Sequence, residues 1–193
     1  MNQFGILEKP SPWIVRFAAL LPAGEVLDLA CGSGRHARFL ATAGHSVLAV
    51  DRNAEALASA RGDGVTVMQF DFERASHGSW TWPFERERFA AIVVTNYLHR
   101  PLFPFMLDSL AAGGVLLYET FAQGNERFGK PSNPDFLLTP GELLRLVLSA
   151  TPPDFRVVAY EEGRVDSPRP AIIQRICAVK SGLDAPPSSL CTS

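Results

Sequence analysis

Apolar residues in this chain fall into short runs separated by stretches with a helical stripe, and this alternation predicts the elements. Trp13–Leu21 carries an apolar stripe at helical spacing and stops at Pro22-Ala23-Gly24. Val26–Ala30 reads as a short buried strand, and Arg35–Ala43 as a helix closed by Gly44. Ser46–Val50 is a second strand, and the following helix begins near Asn53, a residue suited to an N-cap. Val65–Phe70 and Phe89–Thr95 are β-branched strands; Pro104–Ala112 reads as a helix running into Gly113-Gly114, and Val115–Thr120 as the next strand.

Strands alternating with helices of about ten residues indicate βαβ units, hence a parallel sheet covered on both faces. The last third breaks this rhythm. A long loop, Phe121–Leu138, leads to a helix opened by Thr139-Pro140-Gly141-Glu142, with Thr at the cap and Glu three residues on. Two strands, around Phe155–Tyr160 and Ala171–Val179, are joined by a polar stretch that reads as a hairpin. The expected architecture is α/β: a parallel sheet finished by an antiparallel hairpin. Residues 1–180 are expected to form one domain, followed by a frayed Ser/Pro-rich tail, 181–193.

Composition narrows the function classes. At 193 residues, the chain suits one domain with a full core. Its net charge of −2 gives no general attraction to nucleic acid or anionic membranes. No segment has signal-peptide or membrane-span character, so a cytoplasmic protein is expected. Cys31, Cys177 and Cys191 lack metal or disulfide spacing, and Cys31 reads as a small buried spacer.

The chemistry concentrates in Val26–Leu40. An apolar strand runs into Gly32-Ser33-Gly34 and a helix starts at once, so a ligand approaches the backbone at the carboxyl end of the strand. Three acids sharpen this. Asp28 lies on the strand leading to the loop, where a carboxylate repels a pyrophosphate but attracts an ammonium or sulfonium. Asp51 ends the second strand, roughly 20 residues past the glycines, where an acid accepts from ribose hydroxyls. Asp71 ends the third and can accept from an adenine amino group, with Phe72 offering its ring.

Asp28-Leu29-Ala30-Cys31-Gly32-Ser33-Gly34, Ala49-Val50-Asp51 and Phe70-Asp71-Phe72 together resemble the class I S-adenosylmethionine-dependent methyltransferase superfamily. Within it, Gly34-Arg35-His36 and the second strand are similar to the tellurite-resistance and thiopurine group. The resemblance spans about residues 12–180. It implies a Rossmann-like three-layer sandwich with a seven-stranded sheet of order 3-2-1-4-5-7-6 and an antiparallel last strand. It also implies S-adenosylmethionine as donor, S-adenosylhomocysteine as product, and no metal. By resemblance Asp28 and Gly32 hold the methionine end, Asp51 the ribose, and Asp71 with Phe72 the adenine, with Ala30, Gly34, Arg52 and Asn96 as further cofactor-binding residues.

For the acceptor, the chain offers candidates after the fourth and fifth strands. Asn96-Tyr97 lacks the prolines that amino-methyltransferases of DNA carry there. His99 suits a base near neutral pH or a loop cap, Tyr97 or Leu98 can line the methionine pocket, and Glu119 faces the acceptor region. Arg35 suits the methionine carboxylate, an oxyanion acceptor or a surface ion pair. Arg127 and Lys130 belong to the long loop, which also carries Phe128 and Phe136 and is long enough for a lid. Trp80 and Trp82 are expected to pack under a loop. The leading expectation is a methyltransferase acting on a small molecule or small oxyanion. An RNA or protein methyltransferase, a non-catalytic regulator and a nicotinamide-dependent reductase are the alternatives, the last opposed by Asp28; oligomeric state stays open.

Overall fold

The computed structural model describes residues 9–74, 82–149 and 155–182. Seven strands form one sheet: β1 (Glu25–Leu29), β2 (Ser46–Asp51), β3 (Val65–Gln69), β4 (Phe89–Thr95), β5 (Leu110–Phe121), β6 (Phe155–Val165) and β7 (Ala171–Lys180). Their order is β3-β2-β1-β4-β5-β7-β6. The first five are parallel, and β7 inserts antiparallel between β5 and β6. The expected sheet order and hairpin are therefore present.

Helices cover both faces because the central strands are apolar on both sides. Alternate residues such as Val26, Ala91, Val93 and Leu117 face α1 (Pro12–Phe17), α2 (Arg35–Thr42) and α3 (Ala54–Ala60). Leu27, Ile92, Val94 and Leu116 face α4 (Phe103–Asp108) and α5 (Glu142–Leu148). Trp13 is 1% exposed and donates its indole N–H to the Ile176 carbonyl, anchoring α1 across β7.

Local signals place most boundaries. Ser11 caps α1 by accepting the Trp13 amide, and Asn53 caps α3 by accepting those of Glu55 and Ala56. Gly44 ends α2 with φ of 95°. Three expectations shift. The first helix is shorter than Trp13–Leu21, tightening into a 3-10 turn at Ala18–Leu20. The helix expected over Pro104–Ala112 stops at Asp108, and Leu110 already pairs with Phe89. Packing overrides helical spacing here. Gly113 has φ of 76°, a Cβ at Gly114 would meet the Ala111 carbonyl at 2.8 Å, and the Lys180 ammonium donates to the carbonyls of Leu107, Asp108 and Leu110. Third, α5 starts at Glu142 after a left-handed Gly141, although Glu142 does accept the Thr139 amide at 2.8 Å. Trp82 packs on Phe72 and Phe84 and donates to Ser109 Oγ at 2.7 Å. Trp80 and most of the 181–193 tail lie outside the described residues.

Candidate functional site

The carboxyl ends of β1 to β4 surround a cleft of about 230 Å³. From β1, the chain turns through Ala30, Gly32 and Gly34, all with positive φ (54°, 55° and 76°). Gly34 admits no side chain, since a Cβ would lie 2.5 Å from that of Ala60. Gly32 has open space where its Cβ would be, so its backbone is accessible to a ligand. The Arg38 guanidinium straps the loop by donating to the Ser33 and Ser59 carbonyls.

Asp28 stands behind this loop. It is 1% exposed, and its carboxylate accepts the Ala37 amide at 2.9 Å, in the first turn of α2. Burial, opposed by that hydrogen bond and by Arg35, raises its pKa to about 7. Asp51 faces the cleft. One oxygen accepts the Gly32 amide at 2.8 Å and the other the Asn53 amide at 2.9 Å.

From β3, Asp71 lines the cleft and turns the chain by accepting the Glu73 amide at 3.0 Å. Phe72 also lines the cleft, although it is 4% exposed and its ring packs against Phe70 and Trp82. From β4, Asn96 adopts φ of 56°, a left-handed conformation uncommon for a side-chain-bearing residue, and donates its amide to the Glu119 carbonyl. Two such strained residues, Ala30 and Asn96, thus line one cleft. Tyr97 follows, its hydroxyl on the Glu73 carboxylate and its carbonyl accepting the Tyr118 hydroxyl at 2.7 Å. Burial, then Glu73, holds the Tyr97 phenol protonated.

Charge in this cleft is one-sided. Among the described residues, Asp51, Asp71 and Glu73 face it against the single guanidinium of Arg52, which pairs with Glu73 at 3.6 Å. A cation is favoured there over a phosphate.

A second cleft, of about 250 Å³, adjoins the first. The two share Arg52, Glu73, Asn96 and Tyr97. The second adds Leu98 after β4, Thr120 at the end of β5, and Pro131 and Phe136 from the long loop.

The structure therefore gathers Ala30, Asp51, Arg52, Asp71, Phe72, Asn96 and Tyr97 at one cleft. The other candidates line neither cleft. His99 is half-buried at the start of a 3-10 turn, and Arg127 and Lys130 are exposed on the loop. Arg35 begins α2, half-buried. Glu119 accepts the Ser11 hydroxyl at 2.9 Å and pairs with Arg175 at 3.3 Å. Cys31 is buried, and burial pushes its thiol well above the usual range.

Sequence reading missed Glu73, Thr120 and Pro131, and named Leu98 and Phe136 without placing them in a common cleft. Glu73 adjoins the quoted Phe70-Asp71-Phe72 run; the others meet only through the fold. It also missed His36, which is 1% exposed on α2. The His36 Nε2 accepts the Ser11 amide at 3.1 Å, which leaves the ring proton on Nδ1, facing Thr95 Oγ1 at 3.3 Å. Burial, then Arg35, lowers its pKa to about 3, so it is a neutral buttress.

Residues 26–113, from β1 into β5, match the family model described as methyltransferase domain. Among proteins of curated function, none matches this sequence. Solved structures share the whole fold. TehB from Haemophilus influenzae superposes with a TM-score of 0.69 at 19% identity, over 87% of this chain and 61% of that one. The chain thus spans about three fifths of the TehB length. An S-adenosylmethionine-dependent methyltransferase from Methanosarcina mazei gives 0.66 at 18%, over 90% and 99%. Geranyl diphosphate C-methyltransferase from Streptomyces coelicolor, solved with S-adenosylhomocysteine, gives 0.60 at 17%, over 86% and 77%. Part of this chain thus matches a methyltransferase-domain model, and its fold is that of solved S-adenosylmethionine-dependent methyltransferases.

Proposed function

We propose that residues 1–180 act as one domain that holds S-adenosylmethionine in the first cleft and methylates a small molecule held in the second. The observation that carries the reading is the adjacency of the two clefts, one lined by three carboxylates and one guanidinium, the other by mixed apolar and polar side chains.

The residues fit the donor. It is cationic and carries no phosphate, and the cleft carries an excess of carboxylates. Each Asp51 oxygen accepts a single N–H, which leaves lone pairs for the ribose hydroxyls, with Arg52 beside it. Asp71 and Phe72 serve the adenine. Ala30, Gly32, Gly34 and Asn96 shape the backbone around the methionine end, and Arg35, at the start of α2, is assigned its carboxylate. Asp28 acts one layer back, through Ala37, on the helix that carries this loop.

When bound, S-adenosylmethionine supplies an electrophilic methyl group. The chain contributes alignment and exclusion of water. Tyr97, whose hydroxyl is engaged by Glu73, offers its ring at the junction of the two clefts, while Leu98, Pro131 and Phe136 wall the acceptor in. Glu73 can take a proton where the acceptor carries one, since it faces both clefts. His99 after β4 and Glu119 near the end of β5 line neither cleft and take no part in this reading of the reaction.

A macromolecular acceptor is the second reading, supported by the exposed Arg127 and Lys130. Phe128, the ring beside them, already lies under the Arg164 guanidinium at 5.3 Å, which favours the small acceptor.

The test has two parts. S-adenosylhomocysteine at ~100-fold excess over its dissociation constant should stabilise the protein by about 2.7 kcal/mol, and nicotinamide nucleotides should not. A panel of thiols, phenols, amines, selenite and tellurite, with RNA as comparison, is then assayed for release of S-adenosylhomocysteine. Lack of stabilisation rejects the donor site. Turnover of RNA alone, with steep salt dependence, rejects the small acceptor. Donor binding without turnover of any acceptor favours the regulator.

A further inference from the structure

Phe136 is 48% exposed and so is held at the second cleft by something other than its own burial. Its neighbours explain its position. The Arg100 guanidinium, just after β4, donates Nη1 to the Asp135 carbonyl at 2.7 Å and Nη2 to the Leu137 carbonyl at 2.9 Å. These two carbonyls flank Phe136. On its other edge the same guanidinium grips the Glu142 carboxylate through Nε and Nη2. Glu142 in turn accepts the amide and the hydroxyl of Thr139.

One side chain therefore joins three segments: the β4 turn that carries Asn96, Tyr97 and Leu98, the long loop, and the start of α5. A lysine, with one point donor group, cannot reproduce this planar fork. The Arg100–Glu142 contact lowers the Glu142 pKa to about 2, in keeping with an ionised pair.

We infer that Arg100 is the positioning residue of the acceptor cleft, fixing the Phe136 wall against the Tyr97 junction and thereby setting acceptor affinity without touching the donor. This rests on the reading of the second cleft as the acceptor site. A simple stabilising ion pair would behave differently: removing either partner, Arg100 or Glu142, would then have the same effect.

The experiment compares the full-length Arg100→Met, Arg100→Lys and Glu142→Gln variants with wild type. Hydrogen exchange is read at the Leu137 and Leu138 amides, which bond to the Pro134 and Phe121 carbonyls. Arg100→Met and Arg100→Lys should speed their exchange about 10–100-fold and leave β1 and β2 amides unchanged. Glu142→Gln, which keeps both carbonyl bonds of Arg100, should change it less than about threefold. S-adenosylhomocysteine affinity should stay within about twofold in every variant, and with any acceptor turned over by the wild type the Arg100 variants should raise KM while largely preserving kcat. Unchanged exchange in Arg100→Met, equal effects of Arg100→Met and Glu142→Gln, or an unmoved KM overturns the inference. Loss of S-adenosylhomocysteine binding in the wild type overturns the donor reading instead.

Discussion

The Asp51 carboxylate accepts the Gly32 amide at 2.8 Å, so the acid at the end of β2 holds the glycine loop after β1. One side chain thus stands between loop geometry and ligand. Asp51→Ala should weaken S-adenosylhomocysteine binding by about 1–3 kcal/mol. It should also lower folding stability by about 1 kcal/mol, because the Gly32 and Asn53 amides lose their partner. Calorimetric titration alongside urea denaturation separates the two effects. Unaltered affinity would remove Asp51 from the donor site.

The two loop glycines should behave differently. Gly34→Ala places a Cβ 2.5 Å from that of Ala60 at φ of 76°, and should cost about 2–4 kcal/mol of stability. Gly32→Ala meets nothing within 4 Å, so only the left-handed backbone strain, about 1 kcal/mol, should appear. Its larger effect should be on S-adenosylhomocysteine affinity. Chemical denaturation of both variants, with and without that ligand, checks the contrast.

Asp28 and His36 should oppose each other with pH. Burial raises Asp28 from 3.8 to about 7, so between those values the folded state binds the extra proton and stability falls as pH rises. Burial lowers His36 from 6.5 to about 3, so between those values the unfolded state binds the extra proton and stability rises with pH. The two slopes, each at most about 1.4 kcal/mol per pH unit, largely cancel between pH ~4 and ~6.5. Asp28→Asn should unmask a rising profile there, and His36→Gln a falling one. Below this window, Glu142, held down to about 2 by Arg100, loses its stabilisation as pH falls from 4.5. Denaturation midpoints from pH 4 to 8 test the pair; parallel profiles in the two variants would refute it.

Phe136→Ala removes a wall of the second cleft. With an acceptor that the wild type turns over, kcat/KM should fall about tenfold, mainly through KM. Donor affinity should not move, because Phe136 lies outside the first cleft. A fall in kcat alone would show that Phe136 serves chemistry, not acceptor binding.

What could be read along the chain was whatever depends on neighbours in sequence. The Val26–Ala30 run entering Gly32-Ser33-Gly34, the Asn53 cap and the Gly44 stop are local patterns, and the acids Asp51 and Asp71 fall at strand ends because strand ends are marked by where apolar runs stop. Parallel alternation followed by a hairpin then restricted the sheet to few topologies. What tertiary structure decided was where distant groups meet. The 42-residue separation of Arg100 and Glu142 carries no periodicity to betray it, nor do the pairings of Ser11 with His36 and Glu119 with Arg175. Asp28 could be recognised as an acid beside a glycine loop, but its burial against Ala37 follows from how α2 lies on β1. The division has a physical cause. Backbone propensity and capping act within a few residues, whereas clefts, ion pairs and desolvated carboxylates arise only when packing brings separate segments into one low-dielectric space.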